Sequence, residues 1–361
     1  MNKYEIGLVP GPVSIPEEIR KAYLTEFGSA DLEEDFFELY ERNERMLQQI
    51  LGTKNKIAIM SGEAMSVLWG ALKSTAEPDS KLLCVANGLF SLGFGEMGKE
   101  IGLNVETLDF GFNGIPDYDK VKEAAYSYRP DIITAVHCET PSGTLAPLKE
   151  LGEISRDVGA IFIVDFVASG CGCPVDVDEN NIDIGLLGSQ KVLSMPPHLS
   201  IATVSNRAWR RISAVNYAGY DALKPWRDGV QNRYLPYTHD WHAMSALEVS
   251  LNMIMREGIE NVYDRHKRAA KVCREGVKAL GLQLFPQNEE ICSPTVTAVN
   301  VPKDTDWATL NGKLRSEGVI LGGNYGPLAG KVFRFGHMGA QAEEGLVERA
   351  LEKLQFVIRN A

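Results

Sequence analysis

The chain has 361 residues, and its 37 Lys and Arg against 48 Asp and Glu leave a formal net charge of −11. At about 150 residues per domain, this length predicts two domains. An acidic chain lacks the basic surface that nucleic acids and anionic membranes bind, so we expect neither as a partner. No apolar run approaches the roughly 18 residues that span a bilayer, and the first residues lack a secretory pattern.

The six cysteines are too sparse for a disulfide framework in a chain of this length. Their number favours a reduced, cytoplasmic protein. Cys171 and Cys173 are the one close pair in the sequence, and a zinc site would need a second pair that the sequence does not offer. We therefore expect no metal site.

Short apolar runs alternate with helical patterns through much of the chain. After an amphipathic helix predicted at 31–51, strands are predicted at 56–60, 81–86, 105–110, 131–136, 160–165, 182–187 and 199–204. Helices predicted at 64–75, 117–128 and 147–158 lie between several of them. This alternation is typical of βαβ units, so the sequence predicts an α/β fold with a mainly parallel, seven-stranded sheet buried on both faces.

The C-terminal part of the chain follows a different order. Helices are predicted at 241–257 and 259–280, then strands at 295–301 and 331–335, flanked by helices at 306–317 and 343–358. This pattern indicates a second, smaller α/β unit. We expect an N-terminal arm at 1–15 with an extended Pro10-Gly11-Pro12, a large domain at 16–250 and a small domain at 251–361.

Chemically active side chains follow the predicted strands. Open parallel sheets bind ligands beyond the carboxyl ends of their strands. Each candidate alone has a structural explanation, such as a helix cap, a core aromatic or a surface lysine. As a set they match the needs of pyridoxal phosphate: a lysine for a Schiff base, a carboxylate for the ring nitrogen, a helix N-terminus for the phosphate and an aromatic face for the ring. The positions are Ser61-Gly62-Glu63, Asn87-Gly88-Leu89-Phe90, His137 to Gly143 with Thr140, Asp165, and Gly188-Ser189-Gln190-Lys191.

Two segments carry a family resemblance: Val164-Asp165-Phe166-Val167-Ala168-Ser169, and Gly188-Ser189-Gln190-Lys191 with Pro196-Pro197. They resemble the signature of class V aminotransferases, and of the alanine–glyoxylate/serine–pyruvate group in particular. The resemblance implies fold type I of the enzymes that depend on pyridoxal 5′-phosphate (PLP), with the seven-stranded sheet in the large, PLP-binding domain. The similarity extends over nearly the whole chain through Pro10-Gly11-Pro12, Ser61-Gly62-Glu63, Asn87-Gly88-Leu89-Phe90 and Phe333-Arg334-Phe335-Gly336.

The resemblance also implies a role for each matching residue. Lys191 would hold the cofactor as a Schiff base and move a proton between substrate and cofactor, and Asp165 would keep the ring nitrogen protonated. Arg334 would bind the substrate carboxylate. The other cofactor contacts would be the phosphate turn Ser61, Gly62 and Glu63, Gln190 on the phosphate, Phe90 on the ring face, Thr140 at the ring edge, and Thr238 on the phosphate of a neighbouring subunit. The last contact implies a homodimer with shared active sites.

This likeness predicts transfer of an amino group from a small amino acid, similar to alanine or serine, to a 2-oxo acid such as pyruvate or glyoxylate. Glu63 departs from it, because it puts an acid beside the phosphate turn. Gly62-Glu63, His137 to Gly143 and Arg334 to Gly339 are instead similar to pyridoxamine–pyruvate aminotransferases, although Gln190 and Tyr325 replace an Asn and a second arginine of that group. A pyridoxamine–pyruvate or other amine–pyruvate transaminase is therefore the alternative.

Three further interpretations stay open. Gly93-x-Gly95-x-x-Gly98 matches a dinucleotide fingerprint, as in a Rossmann dehydrogenase, but begins several residues after its strand. A class V lyase or desulfurase keeps the cofactor but changes the reaction, and such a desulfurase would need a nucleophilic loop cysteine, for which Cys273 and Cys292 are the candidates. A catalytically silent homologue is disfavoured by the joint presence of Lys191, Asp165 and Arg334.

Overall fold

The computed structural model describes residues 4–359. The strands in this range are β1 (Ile6–Leu8), β2 (Lys56–Ser61), β3 (Lys81–Ala86), β4 (Asn104–Asp109), β5 (Ile132–Val136), β6 (Cys138–Glu139), β7 (Thr144–Leu145), β8 (Ile161–Asp165), β9 (Ile184–Gly188), β10 (Leu199–Val204), β11 (Thr297–Asn300), β12 (Val319–Leu321) and β13 (Val332–Phe335). The α-helices are α1 (Glu17–Ala22), α2 (Glu34–Ile50), α3 (Ala64–Thr75), α4 (Leu89–Glu100), α5 (Tyr118–Tyr128), α6 (Lys149–Val158), α7 (Asn206–Val215), α8 (Trp241–Glu257), α9 (Ile259–Ala279), α10 (Trp307–Ser316) and α11 (Glu344–Arg359).

A seven-stranded sheet forms the centre of the molecule, in the order β2-β10-β9-β8-β5-β3-β4. All neighbouring strands are parallel except those next to β10, which runs antiparallel to both β2 and β9. The predicted α/β fold with a mostly parallel sheet is therefore confirmed. The carboxyl ends of β5, β8 and β9 lie side by side, which brings the segments that follow them together.

Local signals explain why several predicted elements match the observed ones closely. The strands β5, β8, β9 and β10 are buried at every residue, as expected for apolar runs covered on both faces. Helix α8 begins where Asp240 accepts a hydrogen bond from the Ala243 amide at 2.9 Å, and α5 is capped by Asp117 in the same way. Helix α7, which was not predicted, has a similar cap at Ser205. Such caps depend on neighbouring residues, so the sequence alone reveals them.

A second apolar core lies in the C-terminal part. It is formed by α9, α10, α11 and the antiparallel pair β11–β13, with Phe333 and Phe335 at its centre. The arm joins this core, because β1 pairs in parallel with β12 and buries Ile6 and Leu8. Neither short strand was predicted, since their pairing joins residues at opposite ends of the chain. The division at 250/251 stays a prediction, and residues 1–3 and 360–361 of the predicted outer domains lie outside the described residues.

Helix α4 was missed because Gly93, Gly95 and Gly98 lower its helix propensity. Two of the glycines serve packing: a Cβ at Gly98 would lie 2.5 Å from Leu82 Cδ2 on β3, and one at Gly95 would lie 3.0 Å from Thr107 Oγ1 on β4, whereas Gly93 has open space beside it. The dinucleotide fingerprint therefore lies inside a helix, where it cannot form the strand-to-helix turn that binds a pyrophosphate. Between residues 4 and 359 no helix is long and apolar enough to cross a membrane, and no three His, Cys, Asp or Glu side chains are placed to hold a metal ion.

Candidate active site

A cavity of about 270 Å³ opens at the carboxyl ends of the central strands. Six of the predicted site residues line it: Glu63, Phe90, Thr140, Asp165, Gln190 and Lys191. Its other walls are Gly11, Pro12, Ala64, Met65, Leu68, Cys138, Val167, Ala168 and Pro197. Ser61 and Gly62 immediately precede Glu63 at the end of β2. Thr238 is exposed and is not among the lining residues.

Asp165 is the last residue of β8 and only 6% of its surface is exposed. Its Oδ1 accepts a hydrogen bond from the Val167 amide at 2.7 Å. Burial, with the nearby charges of Glu139 and Glu63, raises the pKa of this carboxyl to about 7. A buried carboxylate of this kind is stabilised by a cationic partner, so the cavity wall at Asp165 suits a protonated ring nitrogen.

Lys191 follows β9 and carries the amine that projects into the cavity. Burial and the charge of Arg334 lower the pKa of this amine to about 8. Its Nζ donates a hydrogen bond to the carbonyl of Pro10 in the arm. The next residue of the arm must be small, because Gly11 has φ +97° and a Cβ there would lie 2.6 Å from Lys191 Cδ. The arm therefore forms one wall of the cavity, with Val13 N donating to Gln190 O at 3.2 Å.

The turn between β2 and α3 has most of its hydrogen-bond donors already paired. Ser61 N donates to the Tyr237 hydroxyl at 3.1 Å and Gly62 N to the His198 carbonyl at 2.7 Å. Glu63 caps α3, with its Oε2 accepting from Met65 N at 2.8 Å and its Oε1 accepting from Gln190 Nε2. Among the described residues, Ser61 Oγ and Gln190 Oε1 are buried without a partner.

Arg334 lies on β13, is 3% exposed and is close enough to Lys191 to lower the pKa of that amine. Its Nε donates to the Gly323 carbonyl at 2.9 Å, and its Nη2 donates to the same oxygen. A guanidinium has five N–H groups, so the two that bind the Gly323 carbonyl leave others, one of them shared with the Tyr325 side chain, to bind a carboxylate. The Tyr325 ring centre lies 5.1 Å from this guanidinium, at the position where the pyridoxamine–pyruvate resemblance places a second arginine.

Glu139 was not assigned a role from the sequence, yet it is fully buried beside the cavity. Its carboxylate accepts hydrogen bonds from the amides of Phe90 and Ser91. The rule that identified Asp165 could have found it, because it is likewise an acid that follows an apolar strand. The Pro10 carbonyl, by contrast, had no sequence signal, since it acts through the backbone.

The side chain of His198 is turned away from the turn at Gly62. Its Nδ1 lies 3.7 Å from Asp240 Oδ2, and its ring packs edge-on against Tyr23. Trp241 and His242 both pack on Phe27. These three residues, which had no assigned role, therefore pack in two aromatic groups, His198 on Tyr23, and Trp241 and His242 on Phe27.

The cysteines bear on the lyase interpretation. Burial raises the pKa of Cys292 to about 11 and of Cys273 to about 12, so neither side chain is a thiolate at neutral pH. Cys138 lines the cavity, but burial also raises its pKa to about 11, and its Sγ donates to Ser293 Oγ at 3.1 Å. The described thiols therefore do not supply the nucleophile that a desulfurase needs.

Comparisons with known proteins agree with this geometry. The Aminotransferase class-V family model matches residues 15–330. An uncharacterized aminotransferase of Methanocaldococcus jannaschii is 33% identical over 98% of this chain and 94% of its own length. The pyridoxamine–pyruvate transaminase of Mesorhizobium japonicum is 32% identical over 94% of this chain and 87% of its own length. The crystal structure of pyridoxamine–pyruvate aminotransferase from Mesorhizobium loti has a TM-score of 0.95 at 29% identity, covering 99% of this chain and 92% of that one.

Proposed function

The chain belongs to the class-V aminotransferase family, and on that premise we propose that it moves an amino group from a small amino acid, similar to alanine or serine, to a 2-oxo acid such as pyruvate or glyoxylate, with PLP as cofactor. One observation carries this proposal. The amine of Lys191, the buried carboxylate of Asp165 and the ring of Phe90 share one cavity, with Arg334 beside it.

The residues at the ring end of the cavity, which is the part around Asp165, Lys191 and Phe90, fit PLP. Asp165 is a buried acid whose raised pKa of about 7 favours a cationic partner, and Phe90 offers an aromatic face. Ser61 Oγ is a buried hydroxyl without a partner in the described chain and could donate to a cofactor phosphate, whereas the unpartnered Gln190 Oε1 is an acceptor and could not. When bound, PLP supplies a ring that withdraws electrons from the carbon that loses its proton.

The protein's own groups then have defined tasks. The amine of Lys191, with its pKa lowered to about 8, exists partly in its neutral form at physiological pH and takes a proton from the substrate and returns it. Asp165 holds the proton on the ring nitrogen. Arg334 binds the substrate carboxylate through the guanidinium edge that Gly323 leaves available. We also propose that the protein is a homodimer in which Thr238 binds the cofactor phosphate of the neighbouring subunit. Its proposed location is the cytoplasm.

A second candidate is pyridoxamine as the amino donor, as in the name of the Mesorhizobium japonicum relative. Glu63 supports it. Its carboxylate already takes the Met65 amide and the Gln190 amide group, while Ser61 N and Gly62 N are paired within the protein. The Glu63 carboxylate would repel a cofactor phosphate, which would also find few available hydrogen-bond donors there. A neutral hydroxymethyl group would not be repelled. An unphosphorylated ring would then enter and leave as a substrate.

Single-turnover spectra with a panel of donors test both candidates. Protein loaded with PLP is mixed with L-alanine or L-serine, and separate samples of the protein receive pyridoxamine with pyruvate or glyoxylate. Amino acids that convert the bound aldehyde to the amine form support the first candidate, and formation of pyridoxal from pyridoxamine supports the second. The Lys191→Ala variant should lose either reaction, and the exposed Lys99→Ala variant should keep it. If no donor reacts in the wild type, transamination is wrong.

A further inference from the structure

Glu139 holds two walls of the ring site together. We propose that its buried carboxylate is a positioning residue, which fixes Phe90 and Thr140 at the spacing that a pyridine ring needs between them. The inference rests on the proposed function, because it takes the cavity to be the site of such a ring. Glu139 itself does not line the cavity and would not touch the ring.

The carboxylate is bound to the first turn of α4. Its Oε1 accepts from Ser91 N at 2.6 Å and from Ser91 Oγ at 2.7 Å, and its Oε2 accepts from Phe90 N at 3.2 Å. These amides belong to the first turn of a helix, whose N–H groups have no partner within the helix and where a negative charge is favoured. Phe90, the ring-facing residue, therefore has its backbone tied directly to Glu139.

Gly88 is a second, independent sign that this carboxylate has a fixed place. Its φ of 175° is extended backbone that any residue can adopt, so conformation does not require glycine there. A Cβ at this position would lie 2.4 Å from Glu139 Cδ and 2.7 Å from Oε2. The chain before Phe90 therefore wraps closely around the carboxyl group, and glycine is needed because of Glu139.

The other end of Glu139 is anchored in the β6–β7 hairpin. Its carbonyl accepts from Gly143 N at 2.8 Å and from Ser142 Oγ at 3.3 Å. The next residue, Thr140, is 2% exposed and lines the cavity. One residue thus connects two segments that line the cavity, the one that carries Phe90 and the one that carries Thr140.

The test measures binding of a ring that cannot react with Lys191. The probes are 4-deoxypyridoxine and its 5′-phosphate, which lack the aldehyde. In the Glu139→Gln variant one acceptor oxygen becomes an amide group that cannot accept, so we expect probe affinity to fall about tenfold. Hydrogen exchange at the amides of Leu89, Phe90 and Ser91 should speed up, while exchange at the end of α4 should not. The KM for the 2-oxo acid should change by less than about twofold, because Arg334 is untouched.

Two further variants keep the test decisive. Gly88→Ala should weaken probe binding as Glu139→Gln does, and Gly88→Ala combined with Glu139→Ala should bind no worse than Glu139→Ala alone, because the clash is gone. Glu150→Gln, an acid in the first turn of α6, should leave binding unchanged. Unchanged probe affinity and exchange in folded Glu139→Gln, or in Gly88→Ala, would overturn this inference alone. A wild-type protein that binds neither probe would overturn the proposed function and this inference with it.

Discussion

The two ends of the cavity differ in how their polar groups are satisfied. At the ring end, Asp165 and Lys191 are buried ionisable groups, and the pKa of the acid is raised to about 7 while that of the amine is lowered to about 8. At the turn end, the amides of Ser61, Gly62 and Met65 are all paired within the protein. The ring end thus holds two ionisable groups with shifted pKa values, whereas the turn end has these three amides paired and only Ser61 Oγ and Gln190 Oε1 without a partner among its described atoms.

This difference separates the two chemical questions about the protein. In the proposed function, a ring nitrogen would pair with Asp165 and a reactive aldehyde with Lys191, so recognition of a vitamin B6 ring would depend on these two ionisable groups. Recognition of a phosphate depends on a turn where Glu63 already provides an anion. Under the proposed function, we expect the ring end to govern whether the protein reacts and the turn end to govern which form of the ring it accepts.

The largest expected effect is at the ring end. Asp165→Ala should lower turnover by roughly a hundredfold, the size seen when one preorganised electrostatic partner is removed from a buried site, and should weaken cofactor binding as well. Steady-state kinetics and absorbance titration measure both. Asp109→Ala is the matched control, since this acid also ends a parallel strand of the sheet but is exposed. Equal turnover in the Asp165 variant and the wild type would remove Asp165 from the ring site.

A change at the turn end should have a smaller effect, and it should alter the preference between PLP and pyridoxal more than the turnover rate. Glu63→Gln keeps the side-chain length but removes the negative charge. We expect the affinity for PLP relative to pyridoxal to rise about tenfold, because the charge is partly screened by solvent. Glu33→Gln, at the exposed N-cap of α2 where it forms no cap hydrogen bond, should not change the ratio. A constant ratio in the Glu63 variant would show that the turn does not discriminate between the two forms.

At pH 7.5 the smallest expected effect is a roughly fourfold fall in reactivity from protonation of the Lys191 amine. Burial and Arg334 lower the pKa of its amine to about 8, and only the neutral amine attacks an aldehyde. The rate at which the cofactor-free protein captures pyridoxal should therefore fall about tenfold for each pH unit below 8 and level off above it. Stopped-flow absorbance measures this rate. A rate that keeps rising up to pH 10 would mean that the pKa of the Lys191 amine is not lowered. The contrast between the two ends of the cavity would then lose its support at Lys191.

Local patterns allowed much of the fold to be predicted. The run at 241–257 coincides with α8, because an Asp cap and helical spacing are properties of neighbouring residues. Helix α4 was missed because its glycines weaken the local signal, although Gly95 and Gly98 are needed for close contact with β3 and β4. The pairing of β1 with β12 was missed for a related reason: two three-residue strands from opposite ends of the chain have no pattern that joins them.

The sequence by itself determined the alternation of strands and helices and the polar residues at the strand ends, since both follow from periodicity and the rule that ligands bind where parallel strands end. Only the tertiary structure decided which groups surround those residues and so set their hydrogen bonds and pKa values. Lys191 donates a hydrogen bond to the carbonyl of Pro10, the Phe90 amide donates to the carboxylate of Glu139, and Gln190 donates to the carboxylate of Glu63. Each contact joins residues far apart in the chain, and both burial and hydrogen bonding depend on such neighbours rather than on the residue alone.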